Sequence, residues 1–318
     1  MQNNLDNLNL IKSTREFKEK SEIILIAGAT GESGVKIVEY LISQNIKVRI
    51  LVRNLDKAKS VFFNIWEKLD GIYECDLANE FTYKEALRDA FQETKNCKVT
   101  KVISCLAGTT KEDEKIMHIA NYKININLIN YCKKEEIEKF IFISSAQITK
   151  PYSFISLFIN QVRPDALGLK NLVEIFLRKS GLNYIIIRPC KLEDKPILHE
   201  VNTGQGDNIV GFITRTTLAK VIFDSMKAGI NNCTFEVSGE YSQMDKSYIN
   251  PFQGENLAKL KPDIPSDNIV YNHLGCLNLR KKIEFPLGLI AGGVALRAFT
   301  FVLSRILRVK TNKIFNYK

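Results

Sequence analysis

One stretch constrains the fold more than any other. Residues 22–52 read EIILIAGATGESGVKIVEYLISQNIKVRILV. An apolar run ends at glycine, Val35, Ile37, Val38, Leu41 and Ile42 then recur at helical spacing, and a second apolar run follows at once. Strand, glycine turn, helix and strand in that order form the βαβ unit of a parallel sheet. The alternation continues through KVISCLAG (101–108), a helix around 119–134, KFIFISSA (139–146), a helix around 167–180 and NYIIIRP (183–189). These runs are apolar throughout, as strands covered on both faces must be. The pattern predicts an α/β fold with a doubly wound parallel sheet.

Beyond Pro189 the rhythm loosens into CKLEDKPILHEVNTGQGDNIVG, which predicts a small C-terminal substrate-side lobe before a helix at about 216–228 and a strand CTFEV (233–237). The chain is therefore divided into a polar arm (1–20), a main domain with its lobe (21–240), a connecting segment rich in Asn, Pro, Ser and Lys (241–284) and a C-terminal extension (285–318). With 318 residues, 45% hydrophobic and 25% charged, the chain is long and apolar enough to bury a sizeable core, which excludes general disorder. The arm has no apolar core segment and mixes acids with bases, unlike a secretory signal or transit peptide. Seven cysteines without a CxxC pair suit a reducing compartment with neither disulfides nor structural zinc. His118, His199 and His273 lack metal-ligand spacing, so no metal site is expected.

The glycines at the first turn carry the chemistry. In GATGESG, Gly28 permits the tight turn, Gly31 lets backbone approach a pyrophosphate, and Gly34 allows close helix packing, while free N–H groups at the helix start attract phosphates. Thr30 and Ser33 belong to the same phosphate-binding turn. A strand before it and a helix after it raise this weak motif to a dinucleotide-binding prediction, a Rossmann fold. The second strand ends ILVRN without the carboxylate that an NAD site places on the ribose 2′-hydroxyl; Arg53 stands there and Lys57 follows a turn later. A guanidinium forks onto phosphate oxygens, so the expected cofactor is NADP(H) ahead of NAD(H). Asp76 and Leu77 after the third strand are placed near the adenine, and Leu106, Ala107 and Gly108 after the fourth border the cofactor.

The segments GATGESG, LVRN, CDL, SCLAG, NYKININLIN, FIFISSA, KNLVEIFLRKSGLNYIIIRP and FITRTTLAKVI occur in an order that resembles the atypical, NmrA-like branch of the short-chain dehydrogenases, over about residues 22–240. RPCKLED, GQGDNIVGFITR and FEV are similar to a narrower group, the dehydrogenase-like domains of chloroplast and cyanobacterial photosystem-biogenesis proteins. The resemblance implies a serine that orients substrate, a tyrosine that protonates a carbonyl and a lysine that holds the nicotinamide ribose. Ser145 matches the serine and Lys170 the lysine, but Ala166 stands at the tyrosine position, four residues before Lys170 and on the same helical face. General acid catalysis typically supplies about 10²- to 10⁴-fold, so ordinary carbonyl reduction should be crippled. Cys190 and Lys191 also replace the small residues that the branch places after its RP pair.

These departures favour an NADP(H)-binding, nucleotide-responsive binding or assembly factor with weak or no redox chemistry. The alternative is an NADPH-dependent reductase of an activated conjugated substrate, for which an acid matters less. Charge adds a second expectation: residues 280–318 hold nine Lys and Arg against one Glu, a net +8 of the chain's +10. Read as a helix, 294–309 sets Arg297, Thr300, Ser304 and Arg308 opposite Leu296, Phe299, Val302, Leu303, Ile306 and Leu307. This basic amphipathic pattern suits an anionic membrane surface or a membrane-bound protein, and equally an apolar face packed against the chain's own sheet or a dimer mate. RNA is the weakest partner reading, since the tail lacks dense aromatic–basic interleaving. The expected location is the cytoplasm or plastid stroma, peripheral on a membrane.

Overall fold

The computed structural model describes residues 21–79, 81–94, 97–108, 119–163, 165–239, 247–269 and 271. The polar arm and the basic C-terminal helix expected above lie outside them. Strands β1 (Ser21–Ala27), β2 (Lys47–Val52), β3 (Gly71–Glu74), β4 (Cys97–Ser104), β5 (Lys139–Ile143), β6 (Tyr184–Pro189), β8 (Asn202–Gly204) and β10 (Cys233–Ser238) form one sheet in the order β3-β2-β1-β4-β5-β6-β10-β8. All neighbours pair parallel except β10 with β8, which closes the sheet antiparallel. Two further short strands, β7 (Lys191–Glu193) and β9 (Phe212–Thr214), pair parallel as the base of the substrate-side lobe. The doubly wound α/β sheet expected from the sequence is what the chain forms.

The unbroken apolar runs have a geometric reason. Successive residues of a strand point to opposite faces, so a strand buried on both needs apolar residues at every position. In β1, Ile24 and Ile26 join one buried cluster and Ile23 and Leu25 the other. The first cluster takes Ile37, Val38 and Leu41 from α1 (Glu32–Ser43) and Leu218, Val221 and Ile222 from α7 (Arg215–Lys227). The second takes Leu87 from α3 (Tyr83–Phe91), Leu128 and Ile129 from α4 (Ile124–Lys134), and Val173 and Leu177 from α6 (Ala166–Lys179). Three helices were not anticipated: α3, α5 (Phe154–Val162) and the short α2 (Leu55–Val61), which Asn54 caps by accepting from the Lys57 amide at 2.7 Å.

Part of the connecting segment folds back on the sheet. Phe252 is buried in the first cluster, edge-on to Phe235 of β10, and a short helix α8 (Gly254–Lys259) follows. Asp263 then accepts from the Thr234 amide at 2.8 Å, the Thr234 hydroxyl at 2.6 Å, the Tyr184 hydroxyl at 2.9 Å and Arg178 Nε at 2.8 Å. Among the described residues no helix is long and apolar enough to cross a membrane.

Candidate functional site

The sheet order reverses between β1 and β4, and the loops that follow these two strands meet at the carboxyl end of the sheet. In open α/β sheets that crevice is where ligands bind. Gly28 adopts φ +80°, and a Cβ there would lie 2.9 Å from the Cys105 carbonyl, so only glycine lets the two loops touch. At Gly34 a Cβ would meet Gly28 O at 2.2 Å and Ala29 O at 2.7 Å, which ties the start of α1 against the turn. Gly31 is the N-cap of α1 in an extended conformation, with no side chain capping the helix. The first N–H groups of a twelve-residue helix therefore face the crevice without a side-chain acceptor, the arrangement that receives a phosphate. Glu32 would repel an anion there, but Arg215 pairs with it and also with Asp194.

The turn fits a dinucleotide pyrophosphate on this evidence of backbone alone. Arg53, directly after β2, and Lys57 on α2 are both exposed, and neither forms an ion pair among the described residues. Asp76 is exposed and accepts from the Ala78 amide at 3.0 Å; Leu77 is buried, its carbonyl receiving Asn127 Nδ2 at 2.9 Å. Leu106 is half-buried and Ala107 exposed on the loop after β4. Thr30 and Ser33 lie in the glycine turn and the first turn of α1. All of these residues follow the carboxyl ends of β1 to β4, so the chain brings them to one rim.

On the other side of the crevice, Lys170 projects from the first turns of α6 to the end of β5. Its Nζ donates to the carbonyls of Ile143 at 2.7 Å and Ser144 at 3.1 Å and stands 5.3 Å from the centre of the Phe142 ring. Burial pulls the ammonium down to about 8, against Glu174 and Cys105, which favour the charge. Ser145 donates to the neighbouring Ala146 carbonyl at 3.1 Å. Ala166 is 6% exposed, at the first position of α6, where it brings no titratable group. Tyr152, the nearest tyrosine before it in sequence, is exposed on the loop leading into α5. Cys190 stays packed inward, its amide on Val237 O at 3.0 Å and its thiol pushed up to about 12 by burial, while Lys191 turns out as the first residue of β7.

A buried charge network beneath the lobe escaped the sequence reading. Arg188 of β6 reaches Glu174 with Nη2 at 2.6 Å and Nε at 3.0 Å, Glu236 with Nη1 at 3.3 Å, and lies 3.7 Å from Asp207. Arg178 pairs with Glu174 at 3.1 Å and with Asp263. Ser144 donates to Glu174 at 2.6 Å, so the network begins beside the carbonyls that hold Lys170. Burial alone would raise the Glu174 carboxyl; Arg188 and Arg178 more than reverse it and hold it below the usual range. Glu236 has less help: burial and then Asp207 push it up to about 7, and its Oε2 has no hydrogen-bond donor among the described residues. Asp207, in a left-handed conformation at φ +57°, receives the amides of Gln147 and Thr149 at 2.7 Å each and so fastens the lobe to the loop carrying Ser145. A charged residue inside an apolar run, Arg188 in IIIRP and Glu236 in TFEV, was the available signal.

Comparison with known proteins agrees with this geometry. The sequence model of a family described as NAD(P)H-binding matches residues 28–228. The chain is 28% identical over 233 residues to an uncharacterized chloroplastic protein of Arabidopsis thaliana, covering 69% of this chain and 77% of that one. It is 32% identical over 168 residues to the photosystem II assembly factor Ycf39 of Cyanophora paradoxa, covering 52% of this chain but only 44% of that relative's length. A short-chain dehydrogenase/reductase of Veillonella parvula, solved in complex with NADP, superposes with a TM-score of 0.54 at 17% identity, over 71% of this chain and 98% of that one. This last likeness concerns the fold.

Proposed function

The chain belongs to the NAD(P)H-binding family, and from that premise we propose that it binds NADP(H) as a nucleotide-responsive binding or assembly factor, with weak or no hydride transfer. The observation that carries this reading is the buried Ala166 one helical turn before Lys170. When bound, the dinucleotide supplies a hydride from its nicotinamide; a carbonyl receiving that hydride also needs a proton, and the position that should deliver it holds a methyl group. Gly28, Gly31 and Gly34 admit the pyrophosphate, with Thr30 and Ser33 beside it. Arg53 and Lys57 take the 2′-phosphate, Asp76 and Leu77 flank the adenine, and Leu106 and Ala107 border the nicotinamide end. Lys170, held by two backbone carbonyls, orients the ribose, and Ser145 faces the substrate side. The relatives named chloroplastic and the assembly factor Ycf39 favour a plastid setting and a role in complex assembly.

A second reading, an NADPH-dependent reductase of an activated conjugated substrate, is favoured by one observation. Buried at the end of β5, the Lys170 ammonium is pulled down to about 8, which makes it a readier proton donor than an ordinary lysine at a position without a tyrosine. Titration with NADPH and NADH, followed by NADPH oxidation with simple ketones and with enones, separates the two. The assembly-factor reading expects NADPH binding, negligible turnover, and a Lys170→Ala variant that loses nucleotide affinity. Rapid turnover of enones, abolished in Lys170→Ala with nucleotide binding intact, selects the reductase.

A further inference from the structure

The helix between Ser145 and Lys170 is built inside out. In α5, Ser156 and Asn160 are buried, while Phe154 is 46% and Phe158 41% exposed and Ile155, Leu157 and Ile159 are only partly covered. Tyr152, just ahead of the helix, is 57% exposed, and Val210 on the lobe loop is 56% exposed. The polar side is committed to the domain. Ser153 caps the helix by accepting from the Ser156 amide and donates to Gln147 Oε1 at 2.8 Å, and Ser156 donates to Gln147 O at 2.9 Å. An amphipathic helix of a soluble domain turns its apolar stripe to the core. Here the hydrogen bonds to Gln147 hold the opposite orientation.

We propose that the outer face of α5, with Tyr152 and Val210 beside it, is a docking surface for an anionic lipid bilayer. Charge selects this occupant. From 145 to 164 the chain has no Asp or Glu, and its two cations, Lys150 and Arg163, are exposed at either end of the apolar helix. Lys150 reaches Asn208 Oδ1 at 3.1 Å, which sets the lobe loop carrying Val210 on the same rim. Aromatic and aliphatic side chains between two cations match an interface of acyl chains beneath anionic headgroups. The surface lies between the segment carrying Ser145 and α6 carrying Lys170, so docking would bring the mouth of the crevice to the lipid.

The test uses the full chain carrying Trp66→Phe and Phe158→Trp, which leaves a single tryptophan on the proposed surface, with vesicles of phosphatidylcholine and phosphatidylglycerol. The expected result is a blue-shifted emission that brominated lipid quenches, with at least about tenfold weaker vesicle binding in Phe154→Ser/Phe158→Ser. Lys150→Glu/Arg163→Glu should abolish the greater quenching of the introduced tryptophan in phosphatidylglycerol vesicles than in pure phosphatidylcholine. Vesicle binding without quenching of the introduced tryptophan, or binding undiminished in the serine variant, would place lipid contact elsewhere and overturn the proposal. So would a dimer that the serine variant dissociates in sedimentation velocity while lipid leaves the emission unchanged. Circular dichroism and NADPH binding of each variant confirm that it folds, and this outcome is independent of turnover.

Discussion

The two walls of the crevice are made of different material. Along the wall formed by β1, α1 and β2, binding geometry comes from backbone: three glycines, uncapped helix N–H groups and exposed cations beyond β2. Along the wall formed by β5, α6 and β6, geometry comes from side chains already engaged with the protein. Lys170 is on two carbonyls, Ser145 on its neighbour and Glu174 between two arginines. A wall of backbone keeps its function as long as the turn closes, whatever happens to catalysis. On the proposed reading, a wall of side chains would lose its chemistry with one changed group, as at Ala166, and yet remain rigid because the remaining groups hold one another. Nucleotide binding can therefore outlast reaction in this fold.

The sharpest way to break this contrast is at Gly34, where a Cβ would sit 2.2 Å from Gly28 O with only backbone around it. Gly34→Ala should cost about 4 kcal/mol or more, or prevent folding, because no side chain can move aside. Urea denaturation checks this, and a midpoint close to wild type would show that the glycine wall is more plastic than its geometry implies. On the other wall, Glu236→Gln should act through pH. The folded carboxyl is raised from its ordinary 4.5 to about 7, so its contribution is complete below 4.5 and is lost as pH rises through 7. The variant, which stays neutral, should be more stable than wild type by about 1 to 3 kcal/mol at pH 8, with the difference vanishing near pH 4.5. Parallel melting curves across that range would mean that Arg188 fully compensates the charge. The smallest effect sharpens the first wall. Arg53→Ala should weaken NADPH by roughly tenfold, about 1.4 kcal/mol, and leave NADH unchanged in calorimetric titration.

The glycine wall was readable because its residues are adjacent in sequence and each answers a backbone requirement that other residues fail. The same holds for the strands, whose uninterrupted apolar runs state burial on both faces. The charge network was not readable, because Glu174, Arg188, Asp207, Glu236 and Asp263 lie on separate elements and only folding brings them together. Arg188 and Glu236 announced that buried charges needed partners, but not which ones. Helix α5 escaped for another reason: FISLFINQV carries its polar residues Ser156 and Asn160 on the face that the fold buries, so a reading that looks for an apolar stripe against a core finds the wrong side. Lys170 was legible as a residue, but its engagement with Ile143 and Ser144 depends on where β5 ends.

Asp263 gives the molecule an order of assembly. Its carboxylate receives groups from Arg178, Tyr184 and Thr234, which lie 85, 79 and 29 residues earlier in the chain. During synthesis, β6, α6 and β10 are complete while Arg178 still lacks this counter-ion, and bonds of such sequence separation form late because the intervening loop must close first. A chain synthesised only to residue 262 therefore contains every residue of the glycine turn, while Arg178 has Glu174 but not Asp263, and Tyr184 and Thr234 lack their shared acceptor. Nucleotide binding and completion of the far edge are then separate events in time, and the first can precede the second.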